Sequence, residues 1–118
     1  MSHLDTGQSG EALARRFLEK NGLTFRVANV HSPFGEIDLV MEDQNMAELV
    51  FVEVKTRSGT GFGAPEESVT RTKQHKLRQL VAWYCQRIRW TGQVRLDVVG
   101  VVLNPGAEPA ITHTKYVG

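Results

Sequence analysis

The stretch "AELVFVEVKTR", residues 47–57, limits the fold more than any other part of the chain. Leu49, Val50, Phe51, Val52 and Val54 promise a strand in a dry interior, yet Glu53 and Lys55 fall inside or against that run. Ionised groups in such a place are costly unless they are paired, hydrogen-bonded or bound to a metal. Side chains alternate faces along a strand, so Glu53 and Lys55 share one face a single pleat apart.

The flanking sequence builds a sheet around this strand. Residues 7–21 read as a helix, with Leu13, Ala14, Phe17 and Leu18 as its apolar stripe and Asn21-Gly22 as its stop. Strands are expected over 23–30, over "EIDLVM" after a turn at 31–35, and over 47–56 after a turn at 42–45. The short polar turn at 42–45 calls for an antiparallel hairpin. The glycine-rich segment 58–65 lacks the ending of a phosphate-binding loop and reads as a connection. A second helix is expected from Pro65, with Glu66 and Glu67 in its first turn, to about residue 88. Its inner face would hold Val69, Leu77, Leu80, Val81, Tyr84 and Ile88. The apolar run 94–103 suits a central strand covered on both faces, and 110–116 a short last one. The order α-β-β-β-α-β-β makes one α/β sandwich around a central mixed sheet, a single domain over 1–118.

Asp38 sits between Ile37 and Leu39, a second charge inside an apolar run. If the hairpin pairs around 42–45, Asp38 lies beside Glu53. Two carboxylates so placed repel unless a cation lies between them, and carboxylate oxygens with waters are what Mg²⁺ or Mn²⁺ prefers. A metal can lower the pKa of a bound water and polarise a phosphoryl oxygen. Lys55 can orient that water or stabilise charge growing on phosphorus. Against this stands the ordinary Glu/Lys pair on a solvated sheet face, which contributes only a few tenths of a kcal/mol. Apolar neighbours, Asp38 and the basic helix that follows favour the functional reading.

Charge is segregated along the chain. Residues 1–67 carry 6 Lys/Arg and 11 Asp/Glu, residues 68–96 carry 7 Lys/Arg and no acid, and the whole nets +1. The basic segment either attracts a polyanion or is a solvated helix face. Arg71, His75 and Arg78 fall at i, i+4 and i+7, a stripe able to track a phosphate backbone without reading sequence. Arg57, Arg87 and Arg89 could extend it. Lys73 and Gln74 project along the inner side of the helix towards the edge of the site. Glu36, two before Asp38, is either an outer ligand or a solvated strand end. Trp83 and Trp90 read as packing residues. His3, His31 and His113 lack metal-ligand spacing, and Cys85, the single cysteine, excludes an intrachain disulfide and reads as buried and inert. No apolar run nears the roughly 20 residues that cross a bilayer, and the N-terminus lacks a signal peptide's pattern, so a cytoplasmic protein without a membrane partner is expected.

The spacing "GEIDLV…FVEVKTR" resembles the PD-(D/E)xK nuclease signature. The longer run "SGEALARRFLEKNG…GEIDLV…FVEVKTRS…FGAPEESVTRTKQHKL…VRLDVVGV" resembles the YraN-like family of bacterial proteins over about residues 9–102. That family is similar to archaeal Holliday-junction resolvases. The resemblance implies a restriction-endonuclease-like fold and a Mg²⁺- or Mn²⁺-dependent endonuclease, with DNA, branched DNA included, as partner. It implies Asp38, Glu53 and Lys55 as the catalytic set, with Asp38 and Glu53 on the metal. Glu11 matches the acid that resolvase-like members place on the first helix; its other reading is an exposed first-turn Glu beside the helix dipole. Lys73 and Gln74 match a Lys/Gln position on the second core helix. Ser32 stands near, but not in alignment with, the serine such resolvases present at the hairpin start. A small domain of this type could dimerise to cut two strands symmetrically. The competing reading is a catalytically silent nuclease fold that holds DNA or a DNA-processing partner.

Overall fold

A computed structural model describes residues 6–58 and 71–116, with the backbone alone at 6–8, 71 and 116. The glycine-rich segment beyond Ser58, and the helix start expected at Pro65 with Glu66, Glu67 and Val69, lie outside the described residues, as does His3. The elements are α1 (Thr6–Lys20), β1 (Thr24–Ser32), β2 (Gly35–Asp43), β3 (Glu48–Ser58), α2 (Arg71–Ile88), β4 (Gln93–Leu103) and β5 (Ala110–Tyr116). They form the expected α/β sandwich: a mixed five-stranded sheet in the order β1-β2-β3-β4-β5. Only β3 and β4 run parallel, because α2 lies between them in the chain and carries it back to the same end.

Each helix ends where the sequence supplies a left-handed residue. Gly22 adopts φ 94°, and Leu23 N and Gly22 N donate to the carbonyls of Leu18 and Glu19, both at 3.1 Å. Leu23 and Leu18 share one core cluster, which completes the apolar contact of this cap. At the end of α2 the same pattern recurs without glycine. Arg89 takes φ 58°, while Trp90 N donates to Cys85 O at 2.8 Å.

The sheet separates two cores. On one face α1 places Ala14 and Leu18 against Leu39, Met41, Val50, Val52, Val99 and Val101. On the other, α2 places Leu77 and Leu80 against Ile37, Val40, Leu49 and Phe51. Residues 96–101 of β4 are buried, as expected of an inner strand covered twice. Gly10 lies so close to β3 that a Cβ there would run into the Thr56 side chain.

Two details depart from simple alternation. The β1–β2 hairpin is tighter than the five-residue turn at 31–35, since pairing continues to Ser32↔Gly35 around Pro33 and Phe34. Ser32 Oγ accepts from Phe34 N at 3.0 Å and donates to Gly35 O at 2.9 Å, so its hydroxyl is spent on the turn. The second departure concerns faces. Ile37 packs in the α2-side core while Leu39 packs in the α1-side core, although they are two residues apart. Across the ladder, Ala28 and Val30 switch in the same way, with Asn29 between them at φ 55°. Both strands therefore roll over at Asn29 and Asp38, the one position between Val30↔Ile37 and Ala28↔Leu39 where the ladder skips a pair.

Candidate active site

The roll at Asp38 coincides with the end of the β2–β3 ladder, whose last pair is Leu39↔Val52. Beyond it β3 stays paired with β4, but the edge that faced β2 has no strand opposite. There Asp38 Oδ2 accepts from Val54 N at 2.7 Å. A carboxylate thus replaces a strand partner, and its position is fixed by backbone rather than by another side chain.

Glu53 and Lys55 follow Leu49 and Phe51 at two-residue steps, so they lie on the α2 face. Glu53 Oε1 receives Lys55 Nζ at 3.0 Å and Lys73 Nζ, from α2, at 2.7 Å. The Glu53 side chain is only 11% exposed. Beside it opens a cleft of about 360 Å³ lined by Glu53, Lys73, Lys76, Thr72, Glu36 and Phe34, among others.

The two carboxylates respond in opposite ways. Burial, and after it the charge of Glu53, pushes Asp38 above the usual carboxylate range against the pull of the Val54 N–H. Burial would raise Glu53 too, but hydrogen bonds from Lys73 and then Lys55 overcome it and hold that carboxyl below its ordinary value. Burial opposes the charge on Lys73, and its bond to Glu53 more than restores it, leaving the ammonium raised. The arrangement keeps Glu53 firmly ionised and makes the Asp38 charge expensive.

The other residues singled out from sequence divide. Glu36 lines the cleft, though its Oε1 lies 2.8 Å from His31 Nδ1 in an exposed pair. Glu11 is half-buried on α1, next to Gly10 where that helix meets Thr56 of β3. α1 covers the opposite face of the sheet from Lys73, so Glu11 approaches from the other layer. Arg57 continues the Glu53–Lys55 row, half-buried. His75 and Arg78 are exposed on α2, and of Arg71 only the backbone is described. Gln74 does not line the Glu53 cleft: it borders a separate, mostly apolar groove with Arg78, Val81, Cys85, Trp90 and Leu96. Burial pushes the Cys85 thiol up, which makes it a poor nucleophile. Trp90 is anchored by its Nε1, which donates to Gln93 O at 3.0 Å.

Sequence reading missed Lys76 and Thr72 at the cleft; both fall within a turn of Lys73, which was signal enough. It also missed Asp97, fully buried on the α1 face of β4. Arg95 grips it through Nε at 2.8 Å and a terminal nitrogen at 3.0 Å, and His113 Nε2 lies 2.6 Å from Oδ2. Arg95 also reaches Glu48 at 3.1 Å, so the cluster ties β3, β4 and β5 together. Asp97 carries the same mark as Asp38, a charge in an apolar run, but every strong partner it needs is internal.

Among the described residues no three His, Cys, Asp or Glu side chains converge as a ready-made metal cage. Asp38 and Glu53 fit a Mg²⁺- or Mn²⁺-type ion instead, which is commonly held by one or two carboxylates with waters and substrate phosphates completing its shell. No helix of the described residues is long and apolar enough to cross a membrane.

The same residues place the chain among known sequences. Residues 10–101 match the family described as "Uncharacterised protein family UPF0102". A UPF0102 protein of Nocardia farcinica is 43% identical over 112 residues, covering 94% of this chain and 87% of the relative. One from Rhodococcus opacus is 42% identical over 117 residues, 98% of each chain. Another, from Mycobacterium bovis, is 39% identical over 123 residues and covers all of this chain and 95% of its own. The resemblance drawn from the motifs to the YraN-like proteins therefore holds, and the chain belongs to the UPF0102 family.

Proposed function

We propose that this protein is a Mg²⁺- or Mn²⁺-dependent endonuclease that hydrolyses phosphodiester bonds in DNA, branched DNA included. The observation that carries the reading is the Glu53 carboxylate, shared between Lys55 and Lys73 beside Asp38 in an open cleft. A structural ion pair has no need of a second buried carboxylate at its side, and a surface that merely binds a polyanion gains nothing from either acid.

Asp38 and Glu53 would hold the metal, which when bound supplies an activated water and charge neutralisation at the phosphate. Lys55 stands one pleat along the same strand, where its ammonium can orient the attacking water or balance charge on the phosphoryl oxygens. Glu11, on α1 in the other layer of the sheet, is the further acid that the family resemblance would add to this set. Lys76, Arg57, His75 and Arg78 would hold the flanking backbone through charge, with little sequence preference. Two copies would be required to cut both strands of a symmetric junction.

The test is cleavage of four-way junction, flap and linear duplex with either metal, by the wild type and by Asp38→Ala, Glu53→Ala and Lys55→Ala. Each substitution should abolish cleavage while leaving DNA binding largely intact. Binding without cleavage of any substrate by the wild type would favour the alternative, a silent DNA-holding module.

A further inference from the structure

Glu53 presents a single oxygen to two ammonium groups, so any metal approaching that carboxylate must contest it. The two lysines are not held alike. Lys55 shares β3 with Glu53 and its side chain is 24% exposed. Lys73 arrives on a separate element, in the opening turn of α2, and its side chain is 36% exposed on the lining of the cleft. Asp38 and Glu53 balance Lys55 and Lys73 in formal charge. A divalent ion would leave this group with two excess positive charges, and Lys73, more exposed than Lys55 and borne on a separate element, is the cation better placed to turn away from Oε1.

We propose that Lys73 is a resident counter-ion that holds Glu53 aimed in the metal-free protein and exchanges with the metal. As metal and DNA phosphate enter together, Lys73 gives up Oε1 and turns its ammonium to the phosphate. The exchange rests on the metal-dependent reading of the site and adds regulation to it. Metal alone binds weakly because it must displace an ion pair, and DNA strengthens metal binding because it gives the displaced lysine a new partner. Such coupling is reciprocal: metal strengthens DNA binding by the same factor. A protein built this way keeps its metal chiefly when a phosphate backbone lies in the cleft.

The test measures Mn²⁺ affinity of the full chain, by electron paramagnetic resonance of free Mn²⁺, with and without a non-cleavable phosphorothioate duplex. Wild type, Lys73→Gln and Lys73→Arg are compared, with thermal melts as a check of folding. Lys73→Gln should bind Mn²⁺ alone about tenfold more tightly, the scale of one partly exposed ion pair. Its strengthening by DNA should shrink about as much, while Lys73→Arg, which keeps the charge, should stay near wild type. If the wild type binds Mn²⁺ and Lys73→Gln binds it no more tightly, the exchange is wrong and the endonuclease reading stands. If Lys73→Arg binds as tightly as Lys73→Gln, the exchange is also wrong. If neither wild type nor Lys73→Gln binds Mn²⁺ with or without DNA, both proposals fall.

Discussion

Asp38 and Glu53 stand side by side, yet their ionisation acts on stability with opposite sign. The folded chain holds the Asp38 proton more tightly than the unfolded chain does, so stability falls as pH rises through and above the ordinary carboxylate range. Glu53, held low by two lysines, contributes stability at neutral pH that is lost as pH drops below that range. Asp38→Asn should therefore match the wild type in acid and exceed it near neutrality, by up to about 1 kcal/mol. Glu53→Gln should lose about 1–3 kcal/mol near neutrality, because two ammonium groups lose the charge opposite them, and the loss should shrink in acid. Urea unfolding of the three proteins across pH reads both slopes directly. An Asp38→Asn protein less stable than wild type at neutral pH would show that the site is not carrying an expensive charge.

At the scale of elements, the ends of α1 and α2 obey one rule with different residues. Arg89 occupies the left-handed capping position that Gly22 fills on α1, and a side chain there costs roughly 1–2 kcal/mol. Arg89→Gly should stabilise the protein by about 0.5–1 kcal/mol, seen as a higher melting temperature. The strands and helices themselves were legible, because alternation, turn residues and the Asn21-Gly22 stop are local signals. Asp38 and Glu53 stood out as charges in apolar runs, but the register that brings them together did not: the turn expected at 42–45 closes instead on Asp43↔Glu48, two residues later. The roll of β1 and β2 was not legible either. It depends on Asn29 adopting positive φ, and on β2 leaving β3 after Leu39, which no alternation pattern announces. Gln74 shows the same limit: helical spacing put it next to Lys73, but which flank of α2 faces the cleft is decided by tertiary packing.

Across the described residues, the open cleft and the buried polar cluster lie on different faces of the sheet. The α2 face carries the basic helix and the cleft, whereas the α1 face buries Asp97 under Arg95 and His113. Replacing Asp97 by Ala would strand the Arg95 guanidinium between strands, leaving it, among the described residues, the Glu48 contact at 3.1 Å. The expected cost is about 3–5 kcal/mol, the scale for breaking a buried pair from one side. Thermal unfolding measures it, and junction binding at temperatures where the variant remains folded should be unchanged. A loss of binding without loss of stability would place Asp97 in the site instead.

The bond from Val54 N to Asp38 gives the protein a reporter of its own. That amide lies on β3 beyond the last β2 partner, and the Asp38 carboxylate, not a strand, is what shields its proton. Its hydrogen-exchange rate and its NMR shift therefore follow one carboxylate beside Glu53. Asp38→Ala should accelerate exchange at Val54 by about tenfold or more while leaving Val52 protected by its ladder. A ligand that rearranges Asp38 can then be detected from a single backbone resonance, without a substrate, a label or a turnover.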